Sequence, residues 1–98
     1  MNRDDAIARI KNAEHAIRAL GAQAVYLFGS TARNEAKPTS DVDLFIDRDP
    51  SKPLGFIEFF DLEHLLEAAL GTKVDLATRE CLHPVLRADI ERSAIRIL

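Results

Sequence analysis

Ninety-eight residues, 47% of them hydrophobic and 30% charged, suffice for one domain around a single modest core. Lys and Arg number 13 against 16 Asp and Glu, and a formal net charge of −3 argues against a general nucleic-acid binder, which would carry a basic patch or stripe. No apolar run approaches a membrane span, Met1-Asn2-Arg3-Asp4-Asp5 lacks the apolar core of a signal peptide, and the lone Cys81 excludes an internal disulfide, so the expectation is a cytoplasmic protein in a reducing compartment.

Residues 4–20 read as an amphipathic helix, with Ile7, Ile10, Ile17 and Leu20 near one stripe, helped by Ala6, Ala13 and Ala16. Asn2 or Asp4 can cap its start and Gly21 can end it; His15, mid-helix, is read as a solvated side chain. Residues 23–28 form a first strand, apolar enough to be buried on both faces. Gly29-Ser30-Thr31 breaks that strand, and Ser30 suits the N-cap of a helical turn through Thr31, Ala32 and Arg33. A helix start exposes unpaired N–H groups and a partial positive charge, which favour a phosphate. Taken alone, Gly-Ser is accounted for at least as well by a plain turn and cap.

A polar loop covers 34–40, and a second strand runs over about 42–47. Side chains two apart in a strand share a face, with Cα atoms roughly 7 Å apart. That places Asp41 beside Asp43, with Val42, Leu44 and Ile46 on the other face. Adjacent carboxylates repel unless a cation lies between them, and hard divalent ions such as Mg²⁺ take oxygen ligands. Asp47 shares the Asp43 face but lies roughly 13 Å further along, too far to share a metal. Asp47-Arg48-Asp49-Pro50 is therefore read as a strand exit and solvated loop.

A helix over 54–70 follows, with Pro53 at its first turn and Gly71 at its end. Its apolar residues, from Leu54 and Phe56 through Phe60 to Leu70, exceed what one core-facing stripe needs. Either it is covered on two sides or part of it is a docking surface. Glu58, Asp61, Glu63 and Glu67 form its polar side, and His64 among them is read as a surface residue. In a third strand, 73–77, Val74 and Leu76 face one way and Asp75 the other. If the second and third strands are neighbours, Asp75 joins Asp41 and Asp43 in a two-metal arrangement. Thr78 to His83 is a connection, in which Cys81 is a small core or turn residue. A last helix starts near Pro84, with Val85, Leu86 and Ile90 inward and Arg87, Asp89, Glu91 and Arg92 outward. Residues 94–98 fit either an extension of that helix or a short edge strand. The fold class is α/β (α+β), one domain over 1–98: a small mixed sheet of three or four strands packed with helices in the order αβαβαβα.

A helix start for phosphate, paired acids and a third acid on another strand suit phosphoryl or nucleotidyl transfer. There is no Walker-type phosphate loop, Cys81 with His83 lacks zinc-ligand spacing, and Gly29-Ser30-Thr31 does not supply a nucleophile elbow. Gly29-Ser30, the residues 31–40, Asp41-Val42-Asp43 and Asp75 within Val-Asp-Leu together resemble the minimal nucleotidyltransferases of the DNA polymerase β superfamily. Arg33, in Gly-Ser-x-Ala-Arg, and Ser40, directly before Asp41, extend the match, which covers nearly the whole chain.

The resemblance implies the nucleotidyltransferase (polymerase β palm-like) fold. It implies ATP as substrate, with Gly29 and Ser30 on the triphosphate and Asp41, Asp43 and Asp75 on two Mg²⁺ ions. Arg33 contacts phosphate or pairs with a nearby acid. Small members of this family are commonly antitoxins, partnered by a HEPN-domain ribonuclease toxin on which they place AMP at a tyrosine. Alternatives are an antitoxin that only sequesters the toxin and nucleotidyl transfer to a small molecule. A homo-oligomer and a hetero-oligomer with the toxin both remain open, and neither membrane nor nucleic acid is an expected partner. The apolar helix 54–70 is the candidate docking face.

Overall fold

The computed structural model describes all residues, 1–98. Helix α1 (Arg3–Asn12) starts where the Asp5 N–H donates to Asn2 Oδ1 at 2.8 Å, and Asp4 and Asp5 in the first turn complement its dipole. The single helix expected over 4–20 is in fact two. It breaks at Ala13 (φ −99°, ψ 10°), whose N–H reaches back to Ile10 O, and resumes as α2 (Glu14–Ala19). Asn12 at the break is a weak helix former. The break keeps Ala6, Ile10 and Ile17 fully buried and turns Ala16, expected inward, out to solvent.

Gly21, at φ 111°, leads into β1 (Ala22–Phe28), which passes directly into the turn of helix α3 (Gly29–Ala32). Strand β2 (Val42–Arg48), helix α4 (Phe56–Leu70) and strand β3 (Val74–Thr78) form a crossover unit, and β2 pairs with β3 in parallel. A parallel pair needs such a long connection, whereas β1 and β2 pair antiparallel across the 33–41 segment. A 3-10 turn (Arg79–Cys81), helix α5 (Arg87–Ser93) and the short edge strand β4 (Ile95–Arg96) complete the chain. The strand order is β3-β2-β1-β4, so the C-terminal segment takes the edge-strand alternative, antiparallel to β1.

One face of the sheet is the core. Val25, Leu27, Val42, Leu44, Ile46, Val74 and Leu76 pack there against Ile10, Ile17, Leu62, Leu66 and Leu70 from α1, α2 and α4. Helix α4 starts after Gly55, so Pro53 lies outside it, and it ends at Gly71 in the left-handed conformation (φ 71°). It is not covered on two sides: Phe56, Ile57 and Phe60 stay exposed. Val85 and Leu86 also contradict expectation, being 79% and 52% exposed in the turn before α5. The reason is that Glu91 of α5 pairs with Arg79, which in turn binds Asp47 of β2, so α5 turns Glu91 toward the sheet. Cys81 is an exposed turn residue. No helix is long and apolar enough to cross a membrane.

Candidate active site

The face opposite the core carries the predicted acids. Asp43 lies opposite Phe28 in the β1–β2 ladder and opposite Asp75 in the β2–β3 ladder. Cross-strand partners share a face, so Phe28, Asp43 and Asp75 stand in a row across three strands. Asp41, expected to stand beside Asp43 on one strand face, precedes β2 by one residue and is exposed. Ser40 holds the approach to it. Its hydroxyl accepts from the Lys37 N–H at 3.0 Å, and its own N–H donates to Lys37 O at 3.0 Å, closing a turn before Asp41.

Gly29 adopts φ 74° at the junction of β1 and α3. A Cβ at this position would collide with the Asp43 carboxylate, lying 3.1 Å from its Cγ. Both the backbone angle and the close approach therefore demand glycine. Because glycine opens the turn, the cap position falls on Phe28 and Ser30 lies inside the first turn, not at the N-cap; no side chain caps this helix. Next to it, the Thr31 hydroxyl is buried without a hydrogen-bond partner. Arg33 is exposed and takes the acid-pairing alternative, donating from Nε to Glu35 Oε2 at 3.2 Å.

Burial raises the Asp43 carboxyl above the usual carboxylate range. The neighbouring charges of Asp75 and Asp41 push it further, and Arg33 opposes them in part. Such crowding of like charge is what a bound cation relieves. The donors are all carboxylate oxygens, the set that suits Mg²⁺. No three His, Cys, Asp or Glu side chains close on a common ligating point; the strand pairing sets Asp43 beside Asp75.

Further along the same face, Asp47 is no solvated strand exit. It sits within β2 and binds Arg79 at two points, Nε to Oδ1 at 2.7 Å and Nη2 to Oδ2 at 3.0 Å. That hydrogen bonding holds the Asp47 carboxyl below its usual range. Arg79 also donates to Glu91 of α5 and lies 4.8 Å and 5.0 Å from the ring centres of Tyr26 and Phe45. Those rings stack at 4.6 Å, and Phe28 tilts against Phe45 at 5.8 Å. An aromatic floor thus runs from the Arg79 cluster to Phe28, beside Asp43. Sequence reading missed this cluster. Only the strand register brings them together: Ile46 pairs with Thr78, so the next residues along, Asp47 and Arg79, are neighbours of opposite charge.

A family profile described as a nucleotidyltransferase domain matches residues 10–97. A Methanocaldococcus jannaschii protein, provisionally named a protein adenylyltransferase, is 40% identical over 76 residues, 76% of each chain. The protein adenylyltransferase MntA of Thermococcus cleftensis is 35% identical over 77 residues, 79% of this chain and 76% of MntA. A solved structure described as a minimal nucleotidyltransferase superposes with a TM-score of 0.81 at 34% identity, over 97% of this chain and 95% of its own. A toxin–antitoxin crystal structure with AMP-PNP shares the fold, with a TM-score of 0.69 at 23% identity over 100% of this chain and 73% of its own. With its aspartates in register across β2 and β3 and its glycine turn against them, the chain belongs to the nucleotidyltransferase domain family.

Proposed function

We propose that this chain is a Mg²⁺-dependent protein adenylyltransferase, an antitoxin that moves AMP from ATP onto a tyrosine of a HEPN-domain ribonuclease toxin and so silences it. One observation carries the reading: Asp43 and Asp75 stand side by side on parallel strands, with the Gly29 backbone pressed against the Asp43 carboxylate. Relatives named protein adenylyltransferases support the choice of reaction. The toxin–antitoxin complexes that share the fold motivate the choice of partner.

Asp41, Asp43 and Asp75 would hold two Mg²⁺ ions, which when bound offset the charge of the triphosphate and acidify the attacking hydroxyl. Gly29 leaves main chain, not side chain, facing the triphosphate, and Ser30 adds a hydroxyl in the same turn. Arg33 is exposed, so exchanging Glu35 for a phosphate oxygen needs only a side-chain rotation. In the transfer, the tyrosine oxygen bonds to the α-phosphorus and the bond to the β-phosphate oxygen breaks. Pyrophosphate leaves with the electron pair, and the phenolic proton passes to Asp75, which is exposed on the edge strand β3.

The test is incubation with α-labelled ATP, Mg²⁺ and a HEPN-domain protein from the same genome. Label on that protein with the native chain and none with Asp43→Ala is the expected result. Equal label with both chains would refute it. No label at all, with the toxin still inhibited, would assign the chain to sequestration without chemistry.

A further inference from the structure

Helix α4 sends Leu62, Leu66 and Leu70 into the core and leaves Phe56, Ile57 and Phe60 at 86%, 74% and 54% exposure near its N-terminal end. Aromatic and aliphatic side chains at that exposure present roughly 400 Å² of apolar surface, within the range of the largest patch on a typical monomer and often functional. Phe56 also borders an open groove of about 420 Å³ between α4 and the far ends of β2 and β3. Leu54, Phe59, Leu76 and Cys81 line that groove, with Arg48 on its strand side.

Charge indicates what covers this surface. The α4 sequence carries Glu58, Asp61, Glu63 and Glu67, and it contains neither Lys nor Arg. A second copy pairing α4 on α4 would set acids against acids, and like charges across an interface are strongly disfavoured. A segment with aliphatic anchors flanked by cations meets both the apolar patch and its acidic border.

We infer that the N-terminal half of α4 and its groove dock the acceptor protein, receiving an amphipathic helix whose aliphatic side chains are flanked by Lys or Arg. The inference rests on the proposed reading that the acceptor is a protein. This surface lies away from the chemistry. Arg48 is five positions beyond Asp43 on β2, roughly 17 Å along the strand, and α4 packs on the opposite face of the sheet. The acceptor tyrosine must therefore sit on a segment that passes around edge strand β3 while the body of the partner holds α4. Docking and transfer are then separable.

Calorimetric titration of a HEPN-domain protein from the same genome into this chain tests the proposal. The double variant Ile57→Asp/Phe60→Asp, whose side chains are exposed, is expected to keep its melting temperature and to bind at least about tenfold more weakly. At saturating partner its AMP transfer keeps the native kcat while KM for the partner rises. Asp61→Lys is expected to weaken binding at low salt, with the deficit shrinking as salt rises. Affinity of the double variant within about twofold of native, or no binding by the native chain, would overturn the docking surface whatever the labelling shows. A native homodimer that the double variant splits would assign the surface to a second copy and overturn it too. Native binding without labelling would leave docking in place and remove only the transferase reading.

Discussion

Gly29 and Asp43 are two halves of one contact, and each makes a prediction. Gly29 combines a left-handed backbone with a Cβ position occupied by the Asp43 carboxylate. Gly29→Ala is expected to cost about 1–2 kcal/mol from the backbone angle alone, read by chemical denaturation. Because the new methyl must also displace Asp43, AMP transfer should fall by roughly 10²-fold even where the variant is fully folded. Asp43 is half-buried beside two other acids, so its folded-state carboxyl titrates above its unfolded value. Below the unfolded value both states are protonated and nothing is lost; as pH rises through it toward the folded value, stability drains away. Asp43→Asn is therefore expected to raise the melting temperature at about pH 7, to leave it unchanged at about pH 3, and to abolish transfer. A melting temperature at pH 7 that falls instead would show that Asp43 is there for the fold.

Among the elements, α5 is the one held by charge. Arg79 lies over Tyr26 and Phe45 and joins Asp47 of β2 to Glu91 of α5. Arg79→Leu strips Asp47 of its ion pair and leaves Glu91 with Arg87 alone, and is expected to cost about 2 kcal/mol at neutral pH, less than a fully buried pair because water still reaches the cluster. Asp47 is held below its usual range, so its contribution is present above the ordinary Asp value of about 3.9 and is lost as pH falls through the folded value. The native-minus-variant difference in denaturation free energy should accordingly shrink on acidification; a difference independent of pH would contradict the ion pair. This cluster was invisible in the sequence because neither Asp47 nor Arg79 belongs to a local pattern. Their meeting depends on which strand lies beside which, and on register. By contrast Val42-Leu44-Ile46 and Val74-Leu76, with acids between them, announce their strands through the period of two alone, and Asp43 with Asp75 came with them. Between those extremes lie the junctions. Ser30 was displaced from the cap by a glycine able to turn one residue early, and Asp41 stands just ahead of the ladder because pairing with β3 begins at Val42, as the apolar run from Val42 indicated. Val85 and Leu86 misled because an apolar pair before a helix reads as core when nothing local reveals that the helix is anchored by ions.

For the molecule as a whole, the sheet divides the work. Its helix-covered face supplies the core, and its other face carries the acids at one end and the Arg79 cluster at the other. The core face fixes strand register, and register is what makes neighbours of Asp43 and Asp75. Titration of Mn²⁺, followed by electron paramagnetic resonance in the presence of α,β-methylene-ATP, tests this most directly, since that analogue cannot release AMP and no acceptor is needed. Two nucleotide-dependent Mn²⁺ ions per native chain, with loss of tight binding in Asp43→Asn and Asp75→Asn, is the predicted result. Unaltered Mn²⁺ binding in both variants, or none in the native chain, would contradict it.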